Sequence, residues 1–81
     1  MNREEILAKL KPLIADSLNV NESEVVPEAI LTTDLHADSL DAVDTIMIIE
    51  KEFDIAITDA DMEKLTTVKS IVDYIEQHTK S

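Results

Sequence analysis

Three stretches of this chain carry apolar residues at helical spacing, and that periodicity limits the fold more than any other feature. In residues 3–18, Ile6, Leu10, Leu13, Ile14 and Ser17 share one face, with Leu7 and Leu18 at its edge. In residues 39–53 the stripe is Ala42, Ile46, Ile49 and Phe53. In residues 68–78 it is Val68, Ile71, Val72 and Ile75. Recurrence at i, i+3, i+4 and i+7 marks helices that bury one side. The chain has 81 residues and no cysteine, so a disulfide or cysteine metal site cannot supplement a modest core. The expected organisation is one domain over residues 1–81. Its expected fold is all-α: a small four-helix bundle, three longer helices and one short, with a long loop between the first two.

Local chemistry sets the boundaries. Asn2 and Glu5 form a capping-box pattern ahead of a first helix over Arg3–Leu18. Pro12 has no N–H for the Ala8 carbonyl, but it lies on the polar side, which predicts one bent helix convex to solvent. The loop from Asn19 to Ala37 is long for so small a domain. Asn21–Val25 is expected to form a single helical turn, and Val25, Val26, Ile30, Leu31 and Leu35 to pin the loop down. Asp38 caps a second helix from Ser39 to Phe53. Ile55 and Ile57 point inward from a short connection. Thr58 with Asp61 caps a third helix, 59–65, and Thr66 or Thr67 a fourth, 68–78. His78 falls at a fraying end, where it is expected to be solvated. The chain contains no glycine. Positive-φ positions must then fall to residues such as Asn and His, which enter that region most readily; Asn19 and His36 are the expected ones.

Eighteen acidic residues against seven basic ones leave a net charge of −11. Nucleic-acid phosphates would be repelled. Basic protein surfaces would be attracted, with fast, salt-sensitive encounters. A hydrophobic content of 44% excludes a disordered acidic tail. No stretch has the length and apolarity of a membrane span or a signal core. A cytoplasmic monomer with no membrane partner is the expectation.

The tetrapeptide Asp38-Ser39-Leu40-Asp41 stands where the loop gives way to the second helix. Ser39 falls in the first turn, near unpaired N–H groups and the positive end of the helix dipole, which would favour a phosphate esterified there. On the outer stripe of the same helix lie Leu40, Asp44, Met47 and Lys51. With Asp38, Asp41 and Glu50 around them, Leu40 and Met47 make an apolar spot rimmed by carboxylates, the pattern of a transient docking site. Ser39 as a catalytic nucleophile would need a base and a group orienting that base. His36 is the only histidine nearby, and no third member stands out. The acidic run from Asp54 to Glu63 fails as a calcium loop, because ligand positions are misfilled and the required glycine is absent.

Three spaced blocks, Leu35-His36-Ala37-Asp38-Ser39-Leu40-Asp41, Glu50-Lys51-Glu52-Phe53-Asp54-Ile55 and Leu65-Thr66-Thr67-Val68, carry a family likeness. The chain resembles, over essentially its whole length, the acyl carrier proteins of fatty-acid and polyketide synthesis. The resemblance implies a non-catalytic carrier whose Ser39, flanked by Asp38 and Leu40, bears 4′-phosphopantetheine with acyl groups held as thioesters. It implies loading by a phosphopantetheinyl transferase, with CoA and Mg²⁺. It also implies docking to basic surfaces of synthesis enzymes through Leu40, Asp41, Asp44, Met47, Glu50 and Lys51. Ile49, Ile57, Met62, Leu65, Ile71 and Tyr74 match positions that border the family's acyl-chain cavity. Lys51 departs from a usual acidic residue, Thr45 from an aliphatic one and Thr58 from proline. Ile48, Met62 and Ile71 are bulkier than usual, which is expected to shrink the cavity. Two other readings stay open: a specialised carrier for another activated acid, and an unmodified acidic adaptor.

Overall fold

Asn2 opens the structure with its side-chain oxygen on the Glu5 N–H at 2.8 Å, and the first helix, α1, runs Arg3–Leu18 from there. In this computed structural model, residues 2–79 are described; Met1, Lys80 and Ser81, the ends of the expected domain, lie outside them. Of the expected Asn2–Glu5 capping box, the Asn2 bond forms. Pro12 is exposed and the helix continues through it, so the missing N–H falls where water reaches the Ala8 carbonyl. Asn19 ends α1 in the left-handed region (φ 56°, ψ 47°), its N–H on the Ala15 carbonyl.

The remaining elements are a 3₁₀ turn at Glu22–Glu24, α2 at Ser39–Phe53, α3 at Asp59–Met62 and α4 at Val68–Thr79. α1 packs against both α2 and α4. Ser17, near the end of α1, meets Thr45 in the middle of α2, while Lys9 lies over the ring of Phe53 at the end of α2. Those pairings make α1 and α2 antiparallel. At the other side, Arg3 bridges Asp73 and Glu76 late in α4, so α1 and α4 are antiparallel too. The ion pair with Asp73 is the main cause of the raised Arg3 pKa.

The core is aliphatic. Ile6, Leu10, Ile14, Ile46, Ile49, Ile71 and Ile75 are essentially inaccessible. Thr45 is the one buried polar side chain among the described residues, and its hydroxyl lies 2.8 Å from that of Ser17. The aliphatic residue expected there is thus replaced by half of a hydroxyl pair that satisfies itself.

The long loop is held less by side chains than expected and more by backbone. Val25, Leu31 and Leu35 are buried as anchors, but Val26 and Ile30 are exposed, and Ala29 takes the inward position. Ile30 forms a single antiparallel bridge to Thr67. Leu31 donates to the Thr66 carbonyl, Val68 to Ala29 and Lys69 to Pro27. The loop is therefore laced to the start of α4, and that lacing turns Ile30 outward. The cap of α4 is Thr67: its hydroxyl accepts the Ser70 N–H and its N–H goes to the Ser70 hydroxyl.

α3 is shorter than the expected 59–65. Thr58 caps it through the Asp61 N–H, but beyond Met62 the bonds tighten, with Lys64 donating to Asp61 and Leu65 to Met62. The tighter turn brings Leu65 into the core and Thr66 to Leu31. α4 extends one residue past the expected end. Asp54 is a third left-handed residue (φ 54°), beyond the expected Asn19 and His36. It closes α2, its N–H on the Glu50 carbonyl.

The expected solvated His78 is exposed but stacked on Tyr74, ring centroids 3.9 Å apart. The Tyr74 hydroxyl reaches Asp61 and the Ala56 carbonyl, each at 3.1 Å, tying α3 to α4.

Two measurements probe these contacts. Thr45→Val leaves the half-buried Ser17 hydroxyl without its partner and costs about 1 kcal/mol; replacing both, as Ser17→Ala with Thr45→Val, recovers most of that loss. Chemical denaturation of the four proteins gives the coupling, and strictly additive losses would show no bond of consequence. Tyr74 is the chain's single tyrosine, so its phenolate absorbance is unambiguous. Burial, then the bond to Asp61, raises its pKa above 10.0. Its contribution to stability is full below the unfolded value and lost as pH rises through the folded one. The native titration midpoint should lie above that of the urea-unfolded chain; equal midpoints would contradict the contact.

Candidate functional site

The loop-to-helix junction that presents Ser39 is set by two devices. His36 is left-handed (φ 58°), and its neighbours Leu35 and Ala37 are both buried. The reversal at His36 lets both flanking side chains face the core. The Ala37 N–H then returns to the Leu31 carbonyl at 2.9 Å. Next, Asp38 and Asp41 cap each other: Asp41 N–H to the Asp38 carboxylate at 2.8 Å, Asp38 N–H to the Asp41 carboxylate at 3.3 Å. Asp38 was legible as a cap. The return bond from Asp41 was also available, as an acidic residue at the third helical position.

Ser39 follows as the first residue of α2 and is exposed. Among the described residues no side chain hydrogen-bonds its hydroxyl, and the N–H groups of Ser39 and Leu40 find no acceptor. Exposed His36 makes no bond to it. An oxygen that nothing in the fold holds, beside unpaired first-turn donors, suits esterification to a phosphate group.

Beside Ser39 opens a cleft of about 450 Å³. Leu31 and Thr32 of the loop, Ala42, Val43 and Ile46 of α2, and Asp59, Met62, Glu63, Leu65 and Thr66 line it. Its inner surface is largely aliphatic and its outer rim carries Asp59 and Glu63. Of the residues expected to border a cavity, Met62 and Leu65 line this cleft. Ile49, Ile57, Ile71 and Tyr74 do not; the first three are buried in the core and Tyr74 is half-buried against α3. The lining residues Leu31, Val43 and Ile46 were not singled out from the sequence. Val43 had a signal, since it sits one turn after Ser39 on the flank of the core stripe.

The outer stripe of α2 is as expected at its centre. Leu40 is 75% exposed and Met47 52%. Asp41, Asp44 and Lys51 are exposed around them. Lys51 stands in the last turn, where a cation suits the negative end of the helix dipole. Glu50 differs from the rest: it is half-buried and its carboxylate accepts the Ile57 N–H at 3.0 Å. Ile48, 43% exposed, joins the apolar surface unforeseen.

Comparison with known proteins agrees with this geometry. The family model described as a phosphopantetheine attachment site matches residues 8–75. An acyl carrier protein of Rubrobacter xylanophilus is 53% identical over 78 residues, covering 96% of each chain. One of Thermotoga maritima is 53% identical over 76 residues, covering 94% of each. Among solved structures, an acyl carrier protein from Enterococcus faecalis superposes with a TM-score of 0.79 at 35% identity, over 95% of this chain and 98% of that one. With the family model matched across most of its length, and full-length relatives alike in sequence and in fold, the chain belongs to the acyl carrier protein family.

Proposed function

We propose that this chain carries acyl groups for fatty-acid synthesis as one non-catalytic domain over residues 1–81, with Ser39 as the attachment residue for 4′-phosphopantetheine. The observation that carries the proposal is the exposed, unheld Ser39 hydroxyl at the first turn of α2, beside an apolar cleft. When attached, 4′-phosphopantetheine supplies the thiol on which acyl groups are held as thioesters. Ser39 supplies the oxygen for the phosphodiester. A phosphopantetheinyl transferase brings CoA, Mg²⁺ and the base, so Ser39 needs no activating neighbour of its own. The reciprocal Asp38–Asp41 cap fixes the backbone that presents the serine. Leu31, Val43, Ile46, Met62 and Leu65 offer apolar contact next to it.

Docking belongs to Leu40, Asp41, Asp44, Met47 and Lys51 on the outer stripe of α2. The apolar pair gives a small dry centre, and the carboxylates steer basic partner surfaces toward it. The partners are the transferase and the synthesis enzymes. Glu50 serves the fold, through Ile57, at least as much as the interface. No helix among the described residues is long and apolar enough to cross a membrane. We place the carrier in the cytoplasm, where those enzymes and CoA are met, as a monomer.

Ser39→Ala should abolish incorporation of labelled pantetheine while the helical circular dichroism stays as in the parent; labelling that survives the substitution would refute the assignment. Met47→Ala should weaken transferase binding with a stability change within about 0.5 kcal/mol, since an exposed side chain leaves no cavity. Glu50→Ala should instead cost about 1–3 kcal/mol by leaving the Ile57 N–H unmatched. Binding isotherms and denaturant titrations on both variants separate the two roles, and the reverse pattern would exchange them.

A further inference from the structure

Tyr74 does not line the cleft beside Ser39, and nothing in the carrier role above uses it. It is the chain's single tyrosine, half-buried where α4 meets α3. Its hydroxyl stands 3.1 Å from two acceptors, the Ala56 carbonyl and the Asp61 carboxylate. These lie on either side of Thr58, the cap of α3. The ring itself is held: it stacks on His78 at 3.9 Å with 16° between the planes, and the His78 Nδ1 lies 2.9 Å from the Tyr74 carbonyl oxygen.

What the hydroxyl acts on is a wall of the cleft. Asp59, Met62 and Glu63 bring α3 into the cleft lining, while Asp61 turns to Tyr74. At about 3.6 residues per turn, neighbours on a helix face different ways, so α3 presents one side to the cleft and another to α4. None of its four residues is buried. Ile57 and Leu65 pin the chain on either side of it. Between those pins the Thr58 hydroxyl holds the Asp61 N–H, and Tyr74 holds the Asp61 carboxylate. The facing wall is stiffer, because Leu31 and Ile46 belong to the aliphatic core. An apolar chain that outgrows a cleft of about 450 Å³ therefore displaces α3 rather than α2.

The bond is also of a kind that opens readily. A phenol has one proton to donate, and here two acceptors share it. Ala56 is exposed and Asp61 half-buried, so water can replace the hydroxyl at either one without stranding a buried group.

We infer that Tyr74 is a positioning residue for the cargo: its hydroxyl latches α3 to α4, and release of that latch is the step that widens the cleft for a long acyl chain. The inference rests on the acyl-carrying reading of the cleft and adds chain length as the property that Tyr74 governs. A short chain fits with the latch closed. A long chain moves α3 and forfeits the bonds to Asp61 and Ala56.

The test compares the parent with Tyr74→Phe, which keeps the ring and its stack on His78 and removes only the hydroxyl. Ile75→Val, a buried neighbour on α4, is the control for a stability loss of similar size. The first measurement uses the unloaded full chain and does not depend on Ser39. Amide exchange at Met62, Glu63, Lys64 and Leu65 should quicken about fivefold in Tyr74→Phe, the fold-change of one ordinary hydrogen bond. In Ile75→Val the quickening should fall on core amides such as Ile46 and Ile71, with α3 unmoved. The second measurement loads Ser39 with hexanoyl- or dodecanoyl-pantetheine and follows cleavage of the thioester by hydroxylamine. The dodecanoyl thioester should be cleaved up to about fivefold more slowly in Tyr74→Phe than in the parent, because the chain enters the cleft at less cost. The hexanoyl thioester should be unchanged, and Ile75→Val should behave as the parent with both. Exchange at α3 equal to that of the parent would overturn the inference, and so would an equal change at both chain lengths. Should Ser39 take no pantetheine, the attachment reading fails and the exchange measurement alone decides the latch.

Discussion

A bundle with no glycine has to reverse its chain through residues that carry a Cβ, and that constraint organises this structure. Asn19, His36 and Asp54 hold the three left-handed positions. Each is a type that enters the region more readily than most residues with a Cβ. Asn19 and Asp54 close α1 and α2 by pointing an N–H back at the last turn. His36 does something different: it turns the loop so that Leu35 and Ala37 are both buried immediately before Ser39. The exposure of Ser39 therefore depends on one strained residue three positions earlier and on the Asp38–Asp41 cap that follows it.

Acidity is divided between two tasks. One set of carboxylates is structural. Asp38 and Asp41 start α2, Glu50 holds the connection at Ile57, Asp61 receives Tyr74, and Asp73 with Glu76 receives Arg3. The others face solvent, Asp44 on the outer stripe of α2 and Glu4, Glu5, Glu28, Asp54, Asp59 and Glu63 elsewhere on the surface among them. Self-repulsion from a net charge of −11 opposes compaction. The structural set offsets part of that by converting charges into hydrogen bonds to backbone donors and cations, which are the stronger kind.

Most of the helical frame was legible because its signals are local. Helical spacing identified the buried stripes, and the starts of α1 and α2 followed from Asn2 and Asp38. What differed was decided at a distance. Val26 and Ile30 look like anchors by composition, yet backbone bonds from the loop to Thr66, Pro27 and the first turn of α4 turn them outward. The early end of α3 follows from the need to bring Leu65 inward and Thr66 to Leu31, a pairing across more than thirty residues that no local pattern contains. The cleft shows the same limit. Family position pointed to Ile49, Ile57 and Ile71, which are buried in the core, while the open cleft beside Ser39 adds Leu31, Val43 and Ile46, which only the fold brings together. Glu50 was read as a surface residue from its position on α2, and only the fold reveals the Ile57 N–H waiting for it.

The wall of the cleft formed by α3 is also where the fold commits least. α3 has four residues, none of them buried, so its own backbone bonds cannot hold it as a helix. What fixes it comes from neighbours: Ile57 and Leu65 buried at either side, the Glu50 bond to the Ile57 N–H, and the Tyr74 hydroxyl on Asp61 and Ala56. Two of those ties end on carboxylates, Glu50 and Asp61, and the third on the Ala56 carbonyl. α1, α2 and α4 by contrast rest on a continuous aliphatic core that includes Ile6, Ile14, Ile46, Ile71 and Ile75. Energy is thus distributed unevenly around Ser39, with a stiff floor on the α2 side and a wall opposite held by a few polar bonds. A small change in those bonds alters the shape of the cleft at less cost than any change in the core, because aliphatic packing resists deformation over its whole contact area while a single hydrogen bond contributes only about 1 kcal/mol.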